Sequence, residues 1–267
     1  MILADCHTHS AFSSDSEEAL ENQVLAAVNK GLKTLCITEH FDPDYPDGEF
    51  RLDTPAYKAE FERLCGAYSD KIELLFGVEL GLLDYLGDTL TEYTAAYPFD
   101  FVIGSSHLIE ENGRLYDPYF PEYFENHTDH NGVVRYFESI LANIRAFGGF
   151  DVYGHLDYIV RYTKAKAYSP AEHAEIIDEI LKLLLKMGKG IELNTAGLKY
   201  GLGWAHPHPQ ILRRWRELGG ELITVGSDAH RAEHIAYDFD TAREILIAAG
   251  FNSYAVFRNR KAELLPL

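Results

Sequence analysis

The sequence predicts a single α/β barrel. Three observations lead there. Short apolar runs alternate with longer helical stretches along the 267 residues; seven or eight such units follow one another without a Pro/Gly/Ser-rich linker; and histidines and carboxylates recur where the apolar runs stop. Strands alternating with helices imply a parallel sheet. Barrels often reach this length as one domain, so residues 1–267 are expected to fold as one unit.

Residues 2–6, 34–38, 72–78, 101–104, 152–154, 190–193, 222–225 and 254–256 read as buried strands. Helical patterns fall between them at 17–30, 55–68, 89–96, 133–147, 170–187, 207–218 and 240–249. Ser169 before Pro170 is a helix start, and Gly188 and Gly219 are helix stops. The two long irregular stretches, 41–54 and 108–132, follow strands, and in a barrel such loops lie over the active-site face. The second is rich in Tyr, Phe, Asp and His and is expected to cover a substrate.

Composition narrows the function classes. At 46% hydrophobic and 25% charged residues the chain has material for a core and is no candidate for disorder. Its net charge of −18 argues against a nucleic-acid groove and against anionic membranes. The three cysteines, Cys6, Cys36 and Cys65, cannot form a closed disulfide set, and the first two sit in apolar runs as small hydrophobes. No leader-like segment opens the chain and no apolar run approaches membrane-spanning length, so a cytoplasmic location is expected.

Six of the twelve histidines fall at or just beyond expected strand ends: His7, His9, His40, His107, His155 and His230. Asp5, Asp15, Glu39, Glu79, Asp157 and Asp228 accompany them. Strand alternation turns His7 and His9 the same way, so both can hold one ion. The polar turn that follows can return Asp15 to them. Glu79 ends the apolar run Leu75-Phe76-Gly77-Val78, where an unpaired carboxylate is costly to bury, so a metal or cation partner is expected. Any one such group is commonplace. Strands that one after another end in His, Asp or Glu describe a multinuclear metal site at a barrel mouth.

Taken in order, His7-Thr8-His9, Thr38-Glu39-His40, Glu79, Ser105-Ser106-His107, Gly154-His155 and Ser227-Asp228-Ala229-His230 resemble the motifs of the PHP (polymerase and histidinol phosphatase) superfamily. The runs His155-Leu156-Asp157 with Arg161-Tyr162, and Glu192 to Leu198, look most like its histidinol-phosphatase branch. The resemblance implies a distorted (β/α)7 TIM-like barrel and a trinuclear metal site. It implies His7, His9, Glu79 and Asp228 around a first ion, with Glu79 bridging to a second held by His107 and His155. Asp15, His40 and His230 would hold the third; many relatives carry histidine where Asp15 stands. The implied reaction is hydrolysis of L-histidinol phosphate in histidine synthesis, with three divalent ions. Zn, Mn and Fe all suit such ligands.

Three such ions outweigh Asp15, Glu79 and Asp228 in charge and leave a positive centre for a phosphate dianion within an acidic protein. An activated water is the expected nucleophile, without a phospho-enzyme. Arg161 is the candidate for a bidentate phosphate contact and Lys199 for a second cation. Asp157 either orients a ligand or protonates the leaving oxygen, and His206 is expected to line the substrate pocket. His173 reads as an exposed helical residue, and His208 as part of a turn and helix start. The expected partner is a small phosphorylated substrate, with no nucleic acid and no membrane. The alternative is a PHP phosphoesterase acting on a nucleotide, a nucleic-acid end or another small ester. An amidohydrolase-type barrel also begins H-x-H, but His107 stands in the region where its carbamylated lysine is expected.

Overall fold

The computed structural model describes residues 1–165 and 168–267. Its strands are β1 (Ala4–Asp5), β2 (Thr34–Phe41), β3 (Glu73–Gly81), β4 (Phe101–Ser105), β5 (Ile109–Glu111), β6 (Arg114–Tyr116), β7 (Val152–Tyr153), β8 (Gly190–Asn194), β9 (Ile223–Gly226), β10 (Ser253–Arg258) and β11 (Lys261–Pro266). Its α-helices are α1 (Leu20–Asn29), α2 (Thr54–Tyr68), α3 (Gly87–Ala96), α4 (Pro121–Asn126), α5 (Asp129–Ala146), α6 (Ala174–Lys186), α7 (Ala196–Lys199), α8 (Pro209–Glu217) and α9 (Phe239–Ala248).

Seven strands form one parallel sheet in the order β1-β2-β3-β4-β7-β8-β9. Their side chains are buried on both faces, which is why they read as apolar runs rather than as alternating patterns. Beyond the ends of β1 and β9 the two edges meet. Cys6 N donates to Val225 O (3.0 Å), Asp228 N to His7 O (2.9 Å) and His9 N to Ala229 O (2.9 Å). The sheet thereby comes to near closure as a distorted (β/α)7 barrel.

The helices cover the barrel with apolar stripes. In α6, Ile177, Ile180, Leu181 and Leu184 are buried at helical spacing. Asp53 caps α2 by accepting from Ala56 N, and Thr128 caps α5 by accepting from Asn131 N. Among the described residues no helix is long and apolar enough to cross a membrane.

Three expectations change. Residues 254–256 are not an eighth barrel strand: they lie in β10, which pairs antiparallel with β11. Asn259 and Arg260 both take positive φ (49° and 63°), and two such residues turn a hairpin. This hairpin covers the end of the barrel where strands begin, with Phe257 stacked on Phe101 and Arg258 paired with Glu73. The stretch 108–132 is not irregular, since β5 and β6 turn at Asn112-Gly113 and α4 follows. His173 is buried, not exposed, at the end of a 3₁₀ turn (Pro170–His173) against Phe137 and Tyr168.

Candidate metal centre and substrate cavity

The strand ends bring the ligand candidates together around Glu79, a residue with no solvent exposure. One carboxylate oxygen, Oε2, lies 3.1 Å from His7 Nε2, 3.0 Å from His40 Nδ1 and 3.5 Å from His9 Nε2. The other, Oε1, lies 2.8 Å from His155 Nε2 and 3.2 Å from His107 Nε2, and accepts from Ser105 Oγ (2.6 Å). Asp228 Oδ1 stands 3.6 Å from His9 Nε2 and 3.5 Å from His230 Nδ1. Asp15 Oδ2 lies 3.0 Å from His230 Nε2 and 3.6 Å from His40 Nε2. The structure thus gathers all nine ligand candidates, His7, His9, Asp15, His40, Glu79, His107, His155, Asp228 and His230, into one network.

Small residues make the approach possible. A Cβ on Gly226 would stand 2.3 Å from His7 Cβ and 2.5 Å from Glu192 Oε1, so only glycine lets β1 and β9 meet beside His7. Asp228 takes left-handed backbone (φ 53°), which an aspartate tolerates better than most side chains.

The outer partners set which ring nitrogen faces inward. Glu192 Oε1 accepts from His7 Nδ1 (2.6 Å), and Asp42 Oδ1 accepts from His107 Nδ1 (2.8 Å), so in the neutral rings, once the second proton is given up, each Nε2 presents a lone pair. For His9 the chain is longer. Ser13 Oγ spends its one proton on Glu39 Oε2 (2.5 Å), so it accepts from His9 Nδ1 (3.3 Å) and from His40 N (3.0 Å). His9 Nε2 is then also a bare lone pair. Of these supports, Glu192 and Asp42 carry no role in the sequence reading. Glu192 had a signal, since Glu192 and Asn194 share one face of an otherwise apolar strand.

Donor atoms in four groups here lie within 4.8 Å of one another: His7, His9 and Glu79; Glu79, His107 and His155; His9, His40 and His230; and His40, Asp42 and His107. The buried atoms His9 Nε2, His40 Nδ1 and His230 Nε2 have no hydrogen-bond partner among the described residues. Convergent, buried, unpartnered imidazole nitrogens beside carboxylates fit divalent ions. The first group holds three of the four residues expected around the first ion, without Asp228, and the second holds the three expected around the second. In the third, His9 joins His40 and His230, with Asp15 alongside.

Burial opposes charge throughout the cluster, and at Glu79, His7, His40 and His107 the neighbours outweigh it. His7, His107 and His40 hold the Glu79 carboxyl well below the usual range despite burial. His7, against burial, is pushed up by Glu192 and Glu79, and His40 by Asp15 and Glu79. His107, again against burial, is pushed up to about 10 by Asp42 and Glu79. His9 moves down, through burial and the charges of His40 and His230. Protons and divalent ions therefore compete for the same atoms.

A cavity of about 820 Å³ opens over the cluster. Arg161 and Lys199 stand on its wall, with Lys199 Nζ donating to Asp228 O (3.1 Å). Tyr119, Phe120, Tyr158, Tyr162 and Tyr200 supply aromatic surface, and Glu49 and Asp117 supply acid; Asp117 accepts from Tyr45 (2.6 Å). Tyr119 and Phe120 come from the stretch 108–132, which does reach the cavity.

Two expectations are corrected here. His206 does not line the cavity: it has no exposure and lies behind Arg161, whose Nε donates to His206 Nε2 (2.9 Å). Asp157 has no exposure, does not line the cavity and is not hydrogen-bonded to His155. Its Oδ1 is bound to His206 Nδ1 (2.5 Å) and its Oδ2 accepts from His208 N (2.8 Å), so both oxygens are occupied in the interior.

Comparison with known proteins gives a consistent result. The PHP domain family matches residues 5–196. The histidinol-phosphatase of Lactococcus lactis subsp. lactis is 33% identical over 265 residues, covering 98% of this chain and 97% of the relative. A Clostridium acetobutylicum protein named probable histidinol-phosphatase is 33% identical over 266 residues, covering 97% and 98%. The crystal structure of histidinol phosphate phosphatase from Lactococcus lactis, complexed with zinc, L-histidinol and phosphate, superposes with a TM-score of 0.88 at 32% identity, covering 97% of this chain and 98% of that one.

Proposed function

The chain belongs to the PHP domain family, in its histidinol-phosphatase branch, and from this premise we propose that it is a metal-dependent phosphomonoesterase converting L-histidinol phosphate to L-histidinol and phosphate. The observation that carries the reading is the floor of the cavity. There both oxygens of one buried carboxylate face imidazoles, and two cations stand beside them in a protein of net charge −18. With divalent ions bound, that arrangement suits a phosphate dianion.

In this reading the ions number three and are zinc, manganese or iron. His7, His9, Glu79 and Asp228 would hold one, Glu79, His107 and His155 a second, and Asp15, His40 and His230 a third. Bound divalent ions supply a water activated at neutral pH and positive charge for the phosphoryl group. Glu192, Asp42 and Ser13 keep the imidazole lone pairs of His7, His107 and His9 turned inward. Arg161 binds phosphoryl oxygens and holds the charge that grows on them, and Lys199 adds a second positive charge. The cationic amine of the substrate suits the acidic wall at Glu49 and Asp117.

The test is phosphate release from L-histidinol phosphate, nucleotides and sugar phosphates, with metal content measured on the same sample. Equal rates on all three classes would overturn the assignment of substrate. Arg161→Ala should lose about 2–4 kcal/mol of transition-state binding, roughly 30- to 1000-fold in kcat/KM, at unchanged metal content. Arg161→Lys should recover only part of it, because an ammonium lacks the guanidinium fork.

A further inference from the structure

We infer that Asp157 and His206 are positioning residues that fix the Arg161 guanidinium for the substrate's phosphate, an inference that rests on the phosphate role proposed for Arg161. The protons follow from the geometry. A guanidinium only donates, so His206 Nε2, 2.9 Å from Arg161 Nε, must be an unprotonated acceptor. The ring proton then sits on Nδ1 and is donated to Asp157 Oδ1 at 2.5 Å. Asp157 is itself held by His208 N, at the start of α8. Asp157 and His206 have no exposure and the Arg161 side chain is only 9% exposed, so water has little access to these bonds.

An imidazole would ordinarily be a poor neighbour for a guanidinium, since its protonated form repels one. Asp157 removes that difficulty by claiming the Nδ1 proton and leaving a lone pair toward Arg161. Two aromatic rings adjoin the guanidinium as well: its central carbon lies 4.9 Å from the Tyr158 ring centre and 4.8 Å from that of Tyr200. What remains is the Nη edge. Nη2 has no hydrogen-bond partner among the described residues and stands 3.7 Å from Asp228 Oδ2, on the cavity wall beside the ligand cluster. An arginine tethered at Nε and set against two tyrosine rings reaches the phosphate with its rotamer already chosen, so less ordering remains for the substrate to impose.

The experiment is a double-mutant cycle on the zinc-loaded protein, with L-histidinol phosphate as substrate and with metal content and thermal midpoint measured for every variant. His206→Asn should lower kcat/KM about 10- to 100-fold at unchanged metal content. His206→Gln should retain more activity, because its longer amide reaches the Nε2 position and can accept from Arg161, while asparagine reaches only the Asp157-facing position. In the Arg161→Ala background both substitutions should change kcat/KM less than threefold. Should His206→Asn fail to fold, His206→Gln and Asp157→Asn close the same cycle. The inference is overturned if the losses are equal in both backgrounds, if asparagine outperforms glutamine, or if activity and metal content fall together. Those results with Arg161→Ala still impaired would leave the phosphate role standing, whereas an Arg161→Ala protein at full activity would remove both.

Discussion

At Glu79 a carboxylate without solvent contact meets five imidazoles, three on one oxygen and two on the other. Glu79→Gln keeps the shape and removes the charge on which both sides depend. It should lose more metal than any single His→Ala change and lower kcat/KM on the order of 10³-fold; elemental analysis after reconstitution at wild-type metal content would sink the bridging role. Asp42 is a quieter case. It touches the cluster through His107 Nδ1, and a carboxylate behind a ligand histidine fixes its tautomer. Asp42→Asn is expected to cost about 10- to 100-fold in metal affinity or activity. Competition with a chromogenic chelator measures it, and an unchanged affinity would make Asp42 a bystander.

Among the elements, β1 and β9 decide whether the mouth of the barrel forms. Asp5 joins them: its carboxylate accepts from Ser227 N (2.9 Å), Ser227 Oγ (2.5 Å) and Ala236 N (2.8 Å). Burial pushes the Asp5 carboxyl upward while these donors pull it down, so the ionised form is held only by the bonds it accepts. Asp5→Asn would set an NH₂ among donors. The expected cost is about 2–4 kcal/mol, or roughly 5–15 °C in thermal midpoint. A midpoint within two degrees of wild type would show that the β1–β9 seam is held by packing alone.

For the molecule as a whole, the ligand set crosses the barrel, since six of its seven strands end in a candidate ligand. Ions at the centre would therefore fasten the strands to one another, and chelation should lower the thermal midpoint by roughly 10–20 °C, reversibly on adding metal back. Acid should act in the same direction. His7, His40 and His107 are pushed up in the metal-free protein, so they carry protons at pH 7 that an ordinary imidazole would have lost. Zinc added to chelated protein in weak buffer at pH 7 should release more than one proton per chain, and affinity should fall as pH is lowered. An indicator dye that reports no release would contradict the electrostatics described for the cluster.

By itself the sequence determined the barrel and the identity of its ligand candidates. Buried parallel strands must be apolar on both faces, so a His, Asp or Glu at a strand end stands out; Asp5 to His9, Glu79 and Ser227 to His230 are legible for that reason. The fate of residues 254–256 was not legible, because an apolar run carries no mark of the strand it will pair with; the positive φ of Asn259 and Arg260 turned it into a hairpin. Nor were the partners of each site residue. Glu192 lies 185 residues from His7, and His206 lies 49 from Asp157 and 45 from Arg161. Spacing along a chain reports neighbours only within one strand or helix. The tertiary structure alone buried Asp157 and His206 outside the cavity lining and set them behind Arg161, because barrel closure decides which side chains share a buried volume and which face the cavity.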